Sequence, residues 1–439
     1  MILSNAWIVT MDDAGTEQES GWLRIEDGRI AEIGGSVPPE RGEDLGGAVV
    51  TPGLVNTHHH LYQTLTRGRA ADKILFEWLK ELYPVWAGID AEMEHAAART
   101  GLAELALSGC STVFDHHYVF PRGVPELVEA EVAAARELGV RIVASRGSMD
   151  LGESDGGLPP DSLVEDVDAV LVDTERLAAL QDEDGWVQIA VAPCSPFTVT
   201  KRLMEESAAL ARRLGLRLHT HLAETVEEEV YCGDLYGCTP AEYLEQLGWL
   251  DRDVWCAHCV HLTDGDIAKF RATGTGVAHC PTSNGRLGAG IARVPELKAA
   301  GVDVGLGVDG SASNERSDMF FEVKQALLFA RARCGPEAMT VRDALRHGTR
   351  GGAAVLGRDD IGSLEPGKRA DLAIWRTEGV LELAGAEADP VAGLVLSAPH
   401  RVDRLIVGGK NVVRDGLLVN ADEQEIGREQ RKQAARLTQ

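Results

Sequence analysis

Thr51-Pro52-Gly53-Leu54-Val55-Asn56-Thr57-His58-His59-His60 is a short apolar run that ends in three consecutive histidines. Pro52-Gly53 punctuates the chain, Leu54-Val55 reads as a buried strand, and polar residues follow at its C-terminal end. Residues two apart on an extended segment point the same way, so His58 and His60 can reach one ion while His59 points elsewhere. A pair of histidines is a modest signal by itself. The pattern recurs, however: further strand-like runs end near His116, Arg146, Pro193, His221, His258, Cys280 and Asp309, making eight with the first. Helical stretches lie between them. Asp90 to Ser108 has Asp90 as N-cap and Gly109 after it, Pro125 to Leu138 closes on Gly139, and Lys201 to Leu214 closes on Gly215. Eight strands alternating with helices predict an α/β fold, a TIM-like (β/α)₈ barrel rather than a doubly wound sheet.

On either side of this zone the pattern changes. Trp22–Ile25 and Arg29–Ile33 flank Asp27-Gly28, the signature of a tight primed turn. Near the other end, Ala370–Trp375 and Arg404–Val407 are strand-like, Gly408-Gly409 and Asp415-Gly416 supply turns, and the chain from Glu423 onward reads as a polar helix. Neither flank has enough strands to bury a core. Segments 1–52 and 358–439 are therefore expected to build one small composite β-sandwich domain beside a barrel at 53–357.

Bulk composition excludes several function classes. With 44% hydrophobic and 26% charged residues the 439-residue chain is ordinarily globular. A net charge of −26 argues against nucleic acid and against an anionic membrane surface, and no apolar stretch approaches the ~20 residues of a membrane span. The first ten residues lack a basic segment followed by an apolar one, so no targeting signal is read there and a cytoplasmic location is expected. Eight scattered cysteines should then be reduced. Cys256-Ala257-His258-Cys259 resembles half of a zinc knuckle but has no second pair at knuckle spacing.

In a parallel barrel the C-terminal strand ends open on one face, so residues distant in sequence converge there. His58 and His60 from the first strand, His221 with Glu224 from Leu218-His219-Thr220-His221-Leu222-Ala223-Glu224, His258 from the sixth and Asp309 from the eighth would meet. Imidazoles with a carboxylate suit Zn²⁺ or Fe²⁺ with a position left for water. His59, His219 and His279 read as supporting or core histidines, and His95, His347 and His400 as surface or helix residues.

These marks, His58-x-His60, His221 followed by Glu224, His258, and Asp309 in Val308-Asp309-Gly310-Ser311, resemble the amidohydrolase superfamily over nearly the whole chain. The resemblance implies one divalent metal, Zn²⁺ first with Fe²⁺ as the alternative, held by His58, His60, His221 and Asp309. Two-metal relatives carry a modified lysine at the end of the fourth strand, whereas here Trp186–Pro193 runs into Cys194. It also implies catalytic roles. Asp309 accepts a proton from the attacking water, His258 orients that water, and Glu224 delivers a proton to a ring nitrogen of the substrate.

Local runs resemble the branch that deaminates aromatic bases, and bacterial 8-oxoguanine deaminases in particular. They include His58–Arg67, Asp115-His116-His117-Tyr118, Ser145-Arg146-Gly147-Ser148-Met149 and Ala192-Pro193-Cys194-Ser195-Pro196-Phe197. The resemblance makes Gln63, His117, Arg146 and Cys194 candidate base contacts. It implies hydrolytic deamination of a guanine-like free base, 8-oxoguanine to urate and ammonia, with a triazine or isocytosine aminohydrolase as the alternative. A non-catalytic interaction protein on the same barrel is the distant third, set aside because the ligand set is intact. The expected partner is a small heterocyclic base, and family members are often homo-oligomers.

Overall fold

The computed structural model describes every residue except Ser36, His400 and Gln439, so the reading of His400 lies outside the described residues. The expected barrel is present. Its strands, in chain order, are Leu54–Asn56, Cys110–Asp115, Arg141–Ser148, Val187–Pro193, Arg217–Leu222, Val254–His258, Gly276–His279 and Val304–Leu306. Each is parallel to its neighbours, and pairing of Leu306 with Asn56 closes the ring.

Side chains alternate along these strands, and the alternation sorts them into two sets. Val55, Phe114, Val143, Ala190, Trp255 and Ala278, one from each of six strands, form an interior cluster with Ala353, Val355 and Leu356. Their neighbours Val113, Ile142, Ile189, Val191 and Val277 pack outward in the core shared with the helices. The helix signals behave as the sequence predicts. Asp90 accepts a hydrogen bond from Met93 N at the start of Ala91–Leu107, and Gly139 and Gly215 end Leu127–Leu138 and Lys201–Leu214 in the left-handed region. The eighth strand stops at Leu306 rather than at Asp309, because the chain turns there and Asp309 itself has φ 64°.

The terminal segments join in one nine-stranded sheet. Val49–Pro52 is its hinge piece, parallel to Ile2–Val9 on one side and antiparallel to Leu372–Trp375 on the other. The hairpin is centred on Asp27 and Gly28, both at positive φ, as a primed turn requires. Among the described residues no helix is long and apolar enough to cross a membrane.

One buried ion pair fastens the sheet to the barrel. Arg141, at the start of the third barrel strand, donates from Nε to Asp371 Oδ2 at 2.8 Å and from Nη2 to Oδ1 at 3.2 Å, and its guanidinium lies over the Trp186 ring. Asp371 Oδ1 also accepts the Gly408 N–H at 2.6 Å. The side chains are 1% and 3% exposed, so removing one partner strands a desolvated charge. Asp371→Ala is expected to cost about 3–5 kcal/mol of unfolding free energy, read from the denaturant midpoint at unchanged slope.

Candidate active site

The histidines at the barrel mouth are set by hydrogen bonds to ring nitrogens that face away from the centre. His60 Nδ1 donates to His116 O at 2.7 Å and His221 Nδ1 to Cys194 O at 2.6 Å, leaving their Nε2 atoms 3.1 Å apart. His219 Nδ1 donates to Trp255 O, so its Nε2 accepts the proton on His58 Nδ1 at 2.9 Å. His58 Nε2 is consequently a bare lone pair, buried and without a hydrogen-bond partner. It lies 3.4 Å from Asp309 Oδ1, which is 3.3 Å from His60 Nε2. Three imidazole lone pairs and one carboxylate oxygen thus face a common point, which fits a divalent metal. His116 crowds the same group, its ring stacked on His221 with centroids 4.7 Å apart.

Burial holds the His60, His219 and His221 imidazoles well below their ordinary pKa, reinforced by the neighbouring rings, so they are neutral. Asp309 goes the other way. Burial alone would raise its carboxyl, but the imidazoles of His58, His258 and His60 that face it hold it well below the carboxylate range. Its two oxygens face different partners. Oδ1 turns to the histidines and accepts the Gly310 N–H at 2.6 Å, whereas Oδ2 accepts the hydroxyls of Ser283 at 2.6 Å and Ser313 at 3.1 Å.

Beside this group stand His258 and Glu224. His258 has φ 69°, a left-handed residue at the end of its strand, and its Nδ1 lies 2.9 Å from Asn284 Oδ1. Its Nε2 is 3.7 Å from Glu224 Oε2 and 3.9 Å from Asp309 Oδ2. Burial would lower the imidazole pKa, but the charges of Glu224 and Asp309 outweigh it and raise it. Burial pushes the Glu224 carboxyl up to about 7, despite the opposing His258 charge. Glu228 fixes the segment by accepting the backbone N–H groups of Ala223 at 2.9 Å and Glu224 at 3.0 Å. The supporting residues Glu228, Ser283, Asn284 and Ser313 were not read from the sequence. Only position could have found them, since each lies a few residues beyond a barrel strand.

A cavity opens above these groups. His60, His221, Glu224, His258 and Asp309 form its polar floor; Leu75, Trp78, Leu79, Phe197 and Leu287 wall it. Such a lining suits a heterocycle with polar edges. Gln63 and Cys194 line it as expected. The Gln63 carboxamide packs on Gly310 so closely that a Cβ there would sit 1.9 Å from Oε1, which explains glycine after Asp309. The Gln63 Oε1 atom is buried with no hydrogen-bond partner. Burial pushes the Cys194 thiol up to about 12, so it stays protonated.

His117 and Arg146 lie elsewhere. Strand parity explains both. Phe114 and Val143 point into the barrel, so the odd-offset residues Asp115, His117, Ile142 and Arg146 point out toward the helices. Arg146 pairs with Glu165 at 2.8 Å and Asp173 at 2.7 Å and lies over the Phe120 ring. His117 faces Glu94 and Glu131 between helices Ala91–Leu107 and Leu127–Leu138. Neither lines the cavity.

Comparison with known proteins agrees with this geometry. The amidohydrolase family pattern matches residues 49–412. The 8-oxoguanine deaminase of Pseudomonas aeruginosa is 47% identical over 433 residues, covering 96% of each chain. An isoxanthopterin deaminase from an unknown prokaryotic organism is 38% identical, covering 98% of this chain and 96% of its own. Among solved structures, the atrazine chlorohydrolase of Arthrobacter aurescens TC1 complexed with zinc matches with a TM-score of 0.93 at 32% identity, covering 99% of both chains. A closed parallel barrel with these histidines and carboxylates at its mouth, matched along nearly its whole length, makes the chain a hydrolase that belongs to the amidohydrolase family.

Proposed function

We propose that this chain is a metal-dependent aminohydrolase that deaminates a guanine-like free base, 8-oxoguanine to urate and ammonia. The observation that carries the reading is the meeting of His58, His60, His221 and Asp309 with Glu224 and His258 under an apolar-walled cavity. The 47% identity to an 8-oxoguanine deaminase supports the choice of base.

The four ligands suit Zn²⁺, with Fe²⁺ as the alternative, and a single ion is favoured because the fourth strand runs into Pro193-Cys194 without a lysine. An ion held there supplies Lewis acidity that lowers the pKa of a water toward neutrality. Asp309 takes the proton this water loses and passes it to the departing amino group. His258, anchored through Asn284, orients the nucleophile. Glu224 is close to half-protonated at neutral pH and protonates the ring nitrogen next to the carbon under attack. Gln63, whose side chain lines the cavity, reads the edge of the base, and the Cys194 thiol packs beside it. Eight unpaired cysteines suit a cytoplasmic location. Val226 and Val230, one helical turn apart and each at least 55% exposed, offer an apolar spot of the kind a homo-oligomer covers.

The zinc-loaded protein is tested for ammonia release from 8-oxoguanine, guanine, isocytosine and a hydroxytriazine. The highest kcat/KM is expected for 8-oxoguanine; a triazine in first place would overturn the choice of base. Glu224→Gln should lower kcat by roughly 10²–10⁴-fold with the thermal midpoint little changed. Near-normal turnover would remove Glu224 from the mechanism. Gln63→Ala should act mainly on KM, since it removes binding of a base edge rather than a proton carrier.

A further inference from the structure

Behind the first and second barrel strands lies a cluster that the reaction does not use. Glu94 on helix Ala91–Leu107, Glu131 on helix Leu127–Leu138 and His117 just past the second strand converge there, each 0% exposed. His117 Nε2 donates to Val119 O at 2.8 Å, which leaves Nδ1 as the free ring nitrogen. That Nδ1 lies 2.9 Å from Glu131 Oε1 and 3.6 Å from Glu94 Oε2. By hydrogen-bond geometry none of the five atoms (His117 Nδ1 and both carboxylate oxygens of Glu94 and of Glu131) is satisfied, and the Asp115 carboxyl, whose Oδ2 is also unsatisfied, adjoins Glu131.

Buried polar atoms are nearly always partnered, and five orphans in one place point to something that binds them all. Among the described residues, the only ion-pair partner of either carboxylate is His117. Arg146, the cation on the far face of Phe120, is itself paired with Glu165 and Asp173. The two separations, 2.9 and 3.6 Å, bracket coordination edges, since ligand atoms ~2.1 Å from an ion lie ~3.0–3.5 Å apart. The His58, His60, His221 and Asp309 group shows the same spacing, at 3.1–3.4 Å. The hydrogen bond from the far ring nitrogen of His117 to a backbone carbonyl also repeats the arrangement of His60 and His221.

We propose that Glu94, His117 and Glu131 hold a second, structural divalent cation of the zinc class, separate from the one at the barrel mouth. One imidazole and two carboxylates neutralise such an ion and suit its preference for nitrogen and oxygen. Burial pushes the Glu94 and Glu131 carboxyls well above their usual range, a penalty that a bound cation removes. Its place in the fold gives it a task. Asp115, two residues before His117, accepts the Leu61 N–H at 2.6 Å, and the His117 ring packs edge-on against Tyr62. The ion would thus brace the turn that follows His60.

Zinc per chain is measured by mass spectrometry of the metal on full-length protein loaded with Zn²⁺ and freed of excess. Two ions are expected in the unaltered chain, one in His60→Ala and one in Glu131→Gln. Anomalous diffraction at the zinc edge from crystals of the unaltered chain should show a peak bounded by Glu94, His117 and Glu131. This arm needs no variant, so misfolding of Glu131→Gln leaves the test intact. A single zinc confined to the barrel mouth, absent in His60→Ala, would overturn the second site while leaving the proposed deaminase chemistry untouched. Shared protons would then be what the carboxylates hold.

Discussion

The seam where the last barrel strand meets the first is the constraint on which the site depends. Leu306 pairs with Asn56, and the chain beyond stays stitched to the first strand: Val308 N–H donates to Asn56 Oδ1 at 2.9 Å and Asp309 N–H to His58 O at 3.1 Å. Residues some 250 positions apart are thereby held side by side, and the carboxylate of Asp309 falls next to His58 and His60. The strands on either side of the seam are only three residues long, so a few bonds carry the closure. Asn56 is consequently as much a part of the site as the side chains it aligns.

Electrostatics at the mouth follow from burial. Packing several imidazoles together in a low dielectric keeps most of them neutral, and neutral imidazoles are what a cation needs as ligands. Asp309 stays anionic because its neighbours donate to both oxygens. Glu224 has only the His258 charge to oppose its burial, and so it keeps its proton near neutrality. Two carboxyl groups in one cavity are driven apart in acidity by their partners, which separates a proton acceptor from a proton donor.

Much of this was legible in the sequence. The strand count, the Asp27-Gly28 hairpin, the Asp90 cap and the helix-ending glycines are local signals, and each acts where it stands. His58, His60, His221, Glu224, His258 and Asp309 could be placed together because a parallel barrel gathers its strand ends on one face. His117 and Arg146 went astray because their motifs sit at the right strand ends but on the outward face. Counting in twos from Phe114 and Val143 would have turned both away from the cavity. Glu94 and Glu131 carried no signal at all, since a buried glutamate on an amphipathic helix looks in sequence like a solvated one.

The terminal sheet has a bearing on how the chain is made. Val49–Pro52 completes its pairing only with Leu372–Trp375, about 320 residues further along. At roughly 5–20 residues per second, a ribosome needs some tens of seconds to supply that partner. Throughout this interval Val49, Val50 and Thr51 would present one open strand edge, next to a barrel that itself lacks its eighth strand until Val304–Leu306 emerges. Ring and sheet are thus both finished late, which makes the nascent chain a client for whatever shields unpaired edges during synthesis.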